Sequence, residues 1–158
     1  MADMIKVRSL TDGTVSLYDP TIPVRKLFEK RGSVAFIEKD KMIQLYYNSS
    51  LQDALRQGML VIDDKDFLYE VGYIIDKDAP SEVIELDENL MKRCIGLMPV
   101  AEFVGVLKKL SSYQIQELVD YAIEHNRDLR MDRIEILDKV SGKNILRAIE
   151  LYKAAQEG

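Results

Sequence analysis

Two side chains in this sequence could carry out nucleophilic or proton-transfer chemistry, the thiol of Cys94 and the imidazole of His125. A catalytic thiol needs electropositive, partly exposed surroundings and a neighbouring base. Cys94 instead falls on the apolar stripe of a predicted helix, which is typical of a small core residue. His125 lies at the predicted end of another helix, where the helix dipole favours a cation. We therefore predict no catalytic residues and no enzymatic activity.

Two acidic clusters, at residues 63–66 and 76–78, have the composition of calcium-binding loops. A calcium loop starting at residue 76 would place Ser81 where glycine is required and Asp87 where a bidentate glutamate is required. The cluster at residues 63–66 fails in the same way, with Leu68 at the glycine position. We predict that these aspartates cap helices and solvate a linker, and that the protein holds no metal or cofactor.

A pair of predicted helices near the end of the chain, 131–140 and 144–156, is joined by the tight link Ser141-Gly142, as in a helix-turn-helix. A recognition helix needs Arg, Lys, Asn or Gln near its start to contact base edges. Candidates for that role are Lys143, Asn144 and Arg147, and the acidic residues around them are Glu135, Asp138 and Glu150. This pattern supports nucleic-acid binding as an alternative function.

The densest group of positive charge consists of Arg25, Lys26, Lys30 and Arg31. Strand alternation would turn Arg25 to one face of a strand and Lys26 to the other. Charges of this kind protect a sheet edge from promiscuous pairing. They could equally form an edge that binds an acidic partner, so we name these four residues as a candidate protein-interaction site.

Composition excludes several classes of protein. Of the 158 residues, 47% are hydrophobic and 31% charged, which is typical of a globular chain. Residues 1–80 carry eleven Lys and Arg against thirteen Asp and Glu, and residues 81–158 carry eleven against fourteen. Neither half has the basic excess that phosphate binding requires, so nucleic acid is an unlikely partner on this criterion. The single cysteine excludes an internal disulfide. No apolar run or signal peptide is evident, so we expect a cytoplasmic protein.

The front of the chain has the pattern of a small antiparallel sheet with short helices. Alternating runs at residues 4–10 and 14–18 flank Asp12-Gly13, which predicts a β-hairpin. Two more strands are expected at 24–28 and 33–37, and the apolar run 59–62 predicts a buried strand that returns to the sheet. Short helices are expected between the last two strands.

The rest of the chain has helical periodicity. Five helices joined by short links are expected after residue 86, with a cap at Asp87 and a capping box at Ser111 and Gln114. The sequence therefore predicts an α+β protein with a mixed domain over 1–75, a linker over 76–85 and an all-helical bundle over 86–158.

Two stretches of the front domain, 7–28 and 47–62, resemble small uncharacterised proteins of tailed bacteriophages, and the helical segments 107–123 and 142–149 are similar to them as well. The resemblance implies a virion or assembly component in the head, neck or tail. Such a protein would act through contacts with other virion proteins or copies of itself. We take this as the primary functional expectation, with a small cytoplasmic regulator carrying the helix-turn-helix as the alternative.

Overall fold

A computed structural model describes residues 3–48, 50–81 and 83–157 of the chain. It confirms the predicted α+β class. The chain divides into two compact units, Met1–Glu85 and Leu86–Gly158. The predicted linker 76–85 falls within the first unit by this division, and Glu85 is bound there by Arg8, whose Nη2 lies 2.7 Å from the Glu85 carboxylate. Glu82, in the same segment, lies outside the described residues.

The elements alternate in the first unit and are helical throughout the second. The strands are β1 (Met4–Ser9), β2 (Val15–Tyr18), β3 (Arg25–Phe28), β4 (Val34–Glu38) and β5 (Leu60–Ile62). The helices of the first unit are α1 (Lys39–Asn48), α2 (Leu51–Arg56) and α3 (Lys65–Glu70). Those of the second unit are α4 (Glu88–Gly96), α5 (Val100–Lys109), α6 (Ser112–Glu124), α7 (Met131–Ser141) and α8 (Ile145–Glu157).

The predicted hairpin across Asp12-Gly13 is wrong. β1 pairs antiparallel with β4 on one side and with β5 on the other, so that both of its edges are occupied and none is left for β2. The residues after β1 are also held elsewhere, because the Leu10 amide donates to the Met59 carbonyl at 2.9 Å. Tertiary pairing with two other strands therefore overrides the local turn signal. The expectation that the 59–62 run returns to the sheet is confirmed by β5.

The remaining two strands, β2 and β3, form a separate two-stranded sheet, with Leu17 opposite Lys26 and Tyr18 opposite Arg25. The four front strands are thus split between two sheets and do not form one. Alternate residues of both sheets turn inward onto α1 and α2, where Phe28 and Met42 are completely buried. Burial of these apolar side chains is the main stabilising term for the first unit.

The second unit is a helical bundle whose helix starts follow the sequence closely. The Asp87 carboxylate accepts a hydrogen bond from the Leu90 amide at 2.8 Å, and Ser111 and Gln114 form the predicted capping box. Helix α6 supplies the centre of this core with Leu118, Val119 and Ala122, all fully buried. Helices α7 and α8 both pack against α6.

In the part of the chain that the structure describes, no helix combines the length and the apolar character required to cross a membrane.

Candidate functional site

The turn between α7 and α8 is the most sharply defined local feature of the second unit. Three residues separate the helices, and the first of them, Gly142, has a φ of 71° in the left-handed region. A residue with a Cβ is strained in this conformation, which explains why glycine ends α7 here. The helix pair predicted from the sequence is therefore present, with a short glycine turn of the kind that a helix-turn-helix uses.

Side chains on both helices hold this turn. The Asp138 carboxylate accepts a hydrogen bond from the Ile145 amide at 2.8 Å, and Asn144 Oδ1 accepts one from the Arg147 amide at 3.0 Å. Two amides at the start of α8 are thus satisfied by side chains of the turn and of α7. Asp138, counted from the sequence as an acidic neighbour of the site, has a structural role in fixing where α8 begins.

The outer side of the turn carries exposed polar residues at the beginning of α8. Lys143, Asn144 and Arg147 are exposed, while Ile145 and Ile149 turn into the core. Arg147 Nη1 lies 3.3 Å from a Glu150 carboxylate oxygen, and both side chains are about two-thirds exposed, so this ion pair is weak. A cation and an amide are thereby presented together at the first turn of a helix.

Arg133, which the sequence analysis did not single out, fixes the start of α7. It is completely buried, its Nε donates to the Cys94 carbonyl at 3.0 Å, and its Nη2 donates to the carbonyl of Met98. Its guanidinium carbon lies 5.0 Å from the centre of the Phe103 ring. These carbonyls belong to the end of α4 and the link that follows, so one arginine satisfies acceptors that the helix leaves open. Arg133 is a positioning residue for the α7–α8 pair.

The four basic residues of the candidate protein-interaction site do not form one surface. Arg25 is exposed and lies over the Tyr18 ring, 5.4 Å from its centre, whereas Lys26 is half-buried on the opposite face of β3. Lys30 is exposed in the turn before β4. Arg31 is held internally, because its Nε lies 3.2 Å from an Asp12 carboxylate oxygen and its Nη1 donates to the Leu10 carbonyl. Arg31 therefore ties two turns together.

The two candidate chemical groups, Cys94 and His125, both have structural surroundings. His125 ends α6, its ring stacks on Tyr121 with the centroids 4.0 Å apart, and its Nδ1 lies 3.0 Å from the Tyr121 carbonyl oxygen. Cys94 is completely buried on α4, and burial raises the pKa of its thiol to about 11. Neither group is arranged as a nucleophile.

We expect Cys94 to resist alkylation in the folded protein. With a thiol pKa of about 11, roughly one molecule in a thousand carries the thiolate near pH 8, and the sulfur is also inaccessible. Iodoacetamide labelling followed by mass spectrometry should be slower than in urea-unfolded protein by about two orders of magnitude. Equal rates in the two states would show that the thiol is exposed.

The acidic clusters are used in structural contacts, as predicted for capping. The Asp64 carboxylate accepts a hydrogen bond from the Phe67 amide at 3.1 Å and begins α3. Asp66 pairs with Lys77 at 3.0 Å, and Asp63 with Arg8 at 3.5 Å. Across the described residues, no three His, Cys, Asp or Glu side chains gather closely enough to hold a metal ion.

Comparison with known proteins gives one informative similarity. The chain is 30% identical over 118 residues to UvrABC system protein C of Mesoplasma florum, an alignment that spans 73% of this chain and 19% of that protein. The chain thus spans about a fifth of the length of this curated relative. No protein-family model matches, and no solved structure matches significantly.

The expectation of a structural or assembly component of a phage particle is wrong. It rested on an overall likeness without a diagnostic motif, whereas the similarity found is to a DNA-repair protein and not to a particle protein. The residues that the alternative function singled out, at the α7–α8 turn, are the ones that remain to be explained.

Proposed function

We propose that the protein binds nucleic acid, with the start of α8 as the contact element, and that it acts by binding and without catalysis. The observation that carries this proposal is the α7–α8 pair itself. A three-residue turn with a left-handed glycine joins two helices packed on α6, and Lys143, Asn144 and Arg147 are exposed at the first turn of the second helix. In helix-turn-helix proteins this part of the recognition helix reaches base edges in the major groove. The similarity to UvrABC system protein C favours the same class of ligand.

The distribution of charge determines what kind of binding to expect. The second unit is almost neutral, with eleven Lys and Arg against twelve Asp and Glu over residues 86–158. Non-specific attraction to the phosphate backbone is therefore small, because this term grows with the number of phosphates that are neutralised. Binding should depend on base contacts from a few side chains, and hence on sequence, more than on charge.

We expect the double substitution Lys143→Glu and Arg147→Glu to weaken duplex binding about tenfold or more. Two cations at the contact surface become anions, so phosphate contacts are lost and repulsion is added. The slope of log affinity against log salt concentration should also fall by about two, since each lost phosphate contact contributes about 0.9. Fluorescence anisotropy with a labelled duplex, selected by this protein from a randomised pool, measures both quantities.

A matched control is the double substitution Lys108→Glu and Lys109→Glu, which changes net charge equally at exposed positions in the last turn of α5. It should change affinity far less. Glu150→Gln should strengthen binding a few-fold, because Arg147 loses its competing carboxylate. If both charge reversals weakened binding equally, the effect would be one of net charge, and the start of α8 would not be the contact element.

A further inference from the structure

The unpaired edge of β4 presents backbone hydrogen-bonding groups. Hydrogen bonds from the Ser9 amide to the Ser33 carbonyl, at 2.9 Å, and from the Lys39 amide to the Asp3 carbonyl, at 2.8 Å, lie at the two ends of the β1–β4 ladder. In an antiparallel pair such bonds recur at every second residue, so the residues of β4 that face β1 are the odd-numbered ones. The N–H and C=O groups of Val34, Phe36 and Glu38 therefore point to the other side, where no strand pairs with β4 among the described residues.

The side chains beside this edge are apolar and exposed. Lys6 lies opposite Phe36 in the ladder, and Met4 lies opposite Glu38, so these residues share the outer face of the sheet. Phe36 is 54% exposed and Met4 49% exposed. An exposed phenylalanine beside an open strand edge is an aggregation hazard unless something covers it.

A shallow cavity of about 190 Å³ lies along the same edge. Its lining includes Met4, Val24, Lys26, Phe36, Glu38 and Lys41. Lys26 comes from β3, so the cavity lies between the diverging strands β3 and β4. It offers an apolar floor with basic groups at the rim, next to the free backbone of β4.

The charges around the cavity favour carboxylates placed at intervals. Lys6 and Lys26 form no ion pair within the described part of the chain, and Lys41 makes a long one of 3.8 Å with Glu38. The exposed carboxylates of Asp3 and Asp40 lie close by in sequence, at the two ends of the same segment. A continuous phosphate backbone would meet these carboxylates as well as the lysines. An extended peptide meets a given side of the sheet only at alternate residues and can place its charges beside the lysines.

We propose that the free edge of β4 accepts an extended acidic segment of a partner protein as an additional strand. The partner backbone pairs with the outward groups of Val34, Phe36 and Glu38, an apolar side chain covers Phe36 and Met4, and its carboxylates lie near Lys6 and Lys26. Strand addition of this kind takes affinity from main-chain hydrogen bonds and specificity from alternate side chains. This surface belongs to the first unit and is independent of the nucleic-acid proposal.

The test uses the full-length protein, labelled with ¹⁵N, and a short synthetic peptide of alternating glutamate and valine as the probe. Titration should shift the amide resonances of Phe36 and Glu38 more than those of the α7–α8 turn. The same peptide with N-methyl groups on the amides that would pair should bind at least about tenfold more weakly, because methylation removes the donors without removing charge. Lys26→Glu should weaken binding several-fold, while Lys30→Glu, at an exposed lysine in the neighbouring turn, serves as the matched control.

Several results would overturn the proposal. Equal affinity of the methylated peptide, or no shift at β4 with the peptide at millimolar concentration, excludes strand addition. Shifts of the same amides on raising protein concentration alone would assign the edge to a second copy of this chain. Stronger competition by single-stranded oligothymidylate than by the peptide would assign the cavity to nucleic acid. The Lys143→Glu and Arg147→Glu protein should bind the peptide as the unsubstituted protein does, so that the two proposals fail separately.

Discussion

Arg133→Met is expected to lower the free energy of unfolding by about 3 kcal/mol, a large share of the stability of a small unit. Methionine fills much of the volume of the arginine stem but has no donor for the carbonyls of Cys94 and Met98. Each buried carbonyl left without a partner costs about 1–3 kcal/mol. Removing a buried charge offsets part of that cost. Urea unfolding of the full chain, followed by circular dichroism, measures the difference.

Two variants make this expectation specific to the buried guanidinium. Arg133→Lys should be intermediate, because one ammonium group cannot reproduce the fork that reaches two carbonyls. Arg130→Met changes an arginine three residues earlier whose side chain is 57% exposed and should alter stability by about 0.5 kcal/mol or less. A fully stable Arg133→Met protein would mean that Arg133 is dispensable for fixing the start of α7.

The helices of this protein could be predicted from the sequence because their signals are local. The capping box at Ser111 and the cap at Asp87 depend on residues three positions apart, and the structure has both. Gly142 ends α7 for an equally local reason, since only its own φ is at issue. The class of the fold followed from these periodicities.

Strand pairing could not be predicted in the same way. Asp12-Gly13 is a strong hairpin signal, but it carries no information about β4 and β5, which compete for the two edges of β1. Because those partners lie some twenty-five to fifty-five residues away along the chain, only the packing of the whole unit decides the pairing. The division of the front strands into two sheets follows from that competition.

The candidate sites show the same contrast. Lys143, Asn144 and Arg147 could be named because a turn and a helix start are visible in sequence. Arg133 could not, since charge normally marks a surface position and no local pattern reveals the carbonyls of α4 that it binds. One weak signal was present: Arg133 lies four residues before Leu137, on the buried side of α7.

Gly96→Ala should also destabilise the protein, by about 2 kcal/mol. A Cβ at this last residue of α4 would lie 2.5 Å from the backbone carbonyl oxygen of Asp128, far inside van der Waals contact. The segment before α7 cannot withdraw freely, because the Arg130 amide donates to the Ile95 carbonyl at 2.9 Å. The clash therefore has to be relieved by moving the backbone that leads into α7, or by losing that hydrogen bond.

The matched control for this substitution is Gly105→Ala in α5, where a Cβ would meet nothing within 4 Å. There alanine should raise stability by about 0.5–1 kcal/mol, through its greater helix propensity and the smaller entropy of the unfolded chain. The same chemical change is thus expected to have opposite signs at two helical glycines, measured as opposite shifts in the midpoint of urea unfolding. If Gly96→Ala instead stabilised the protein as Gly105→Ala does, the close approach of Asp128 to the end of α4 would be disproved, and Arg133 alone would fix the start of α7.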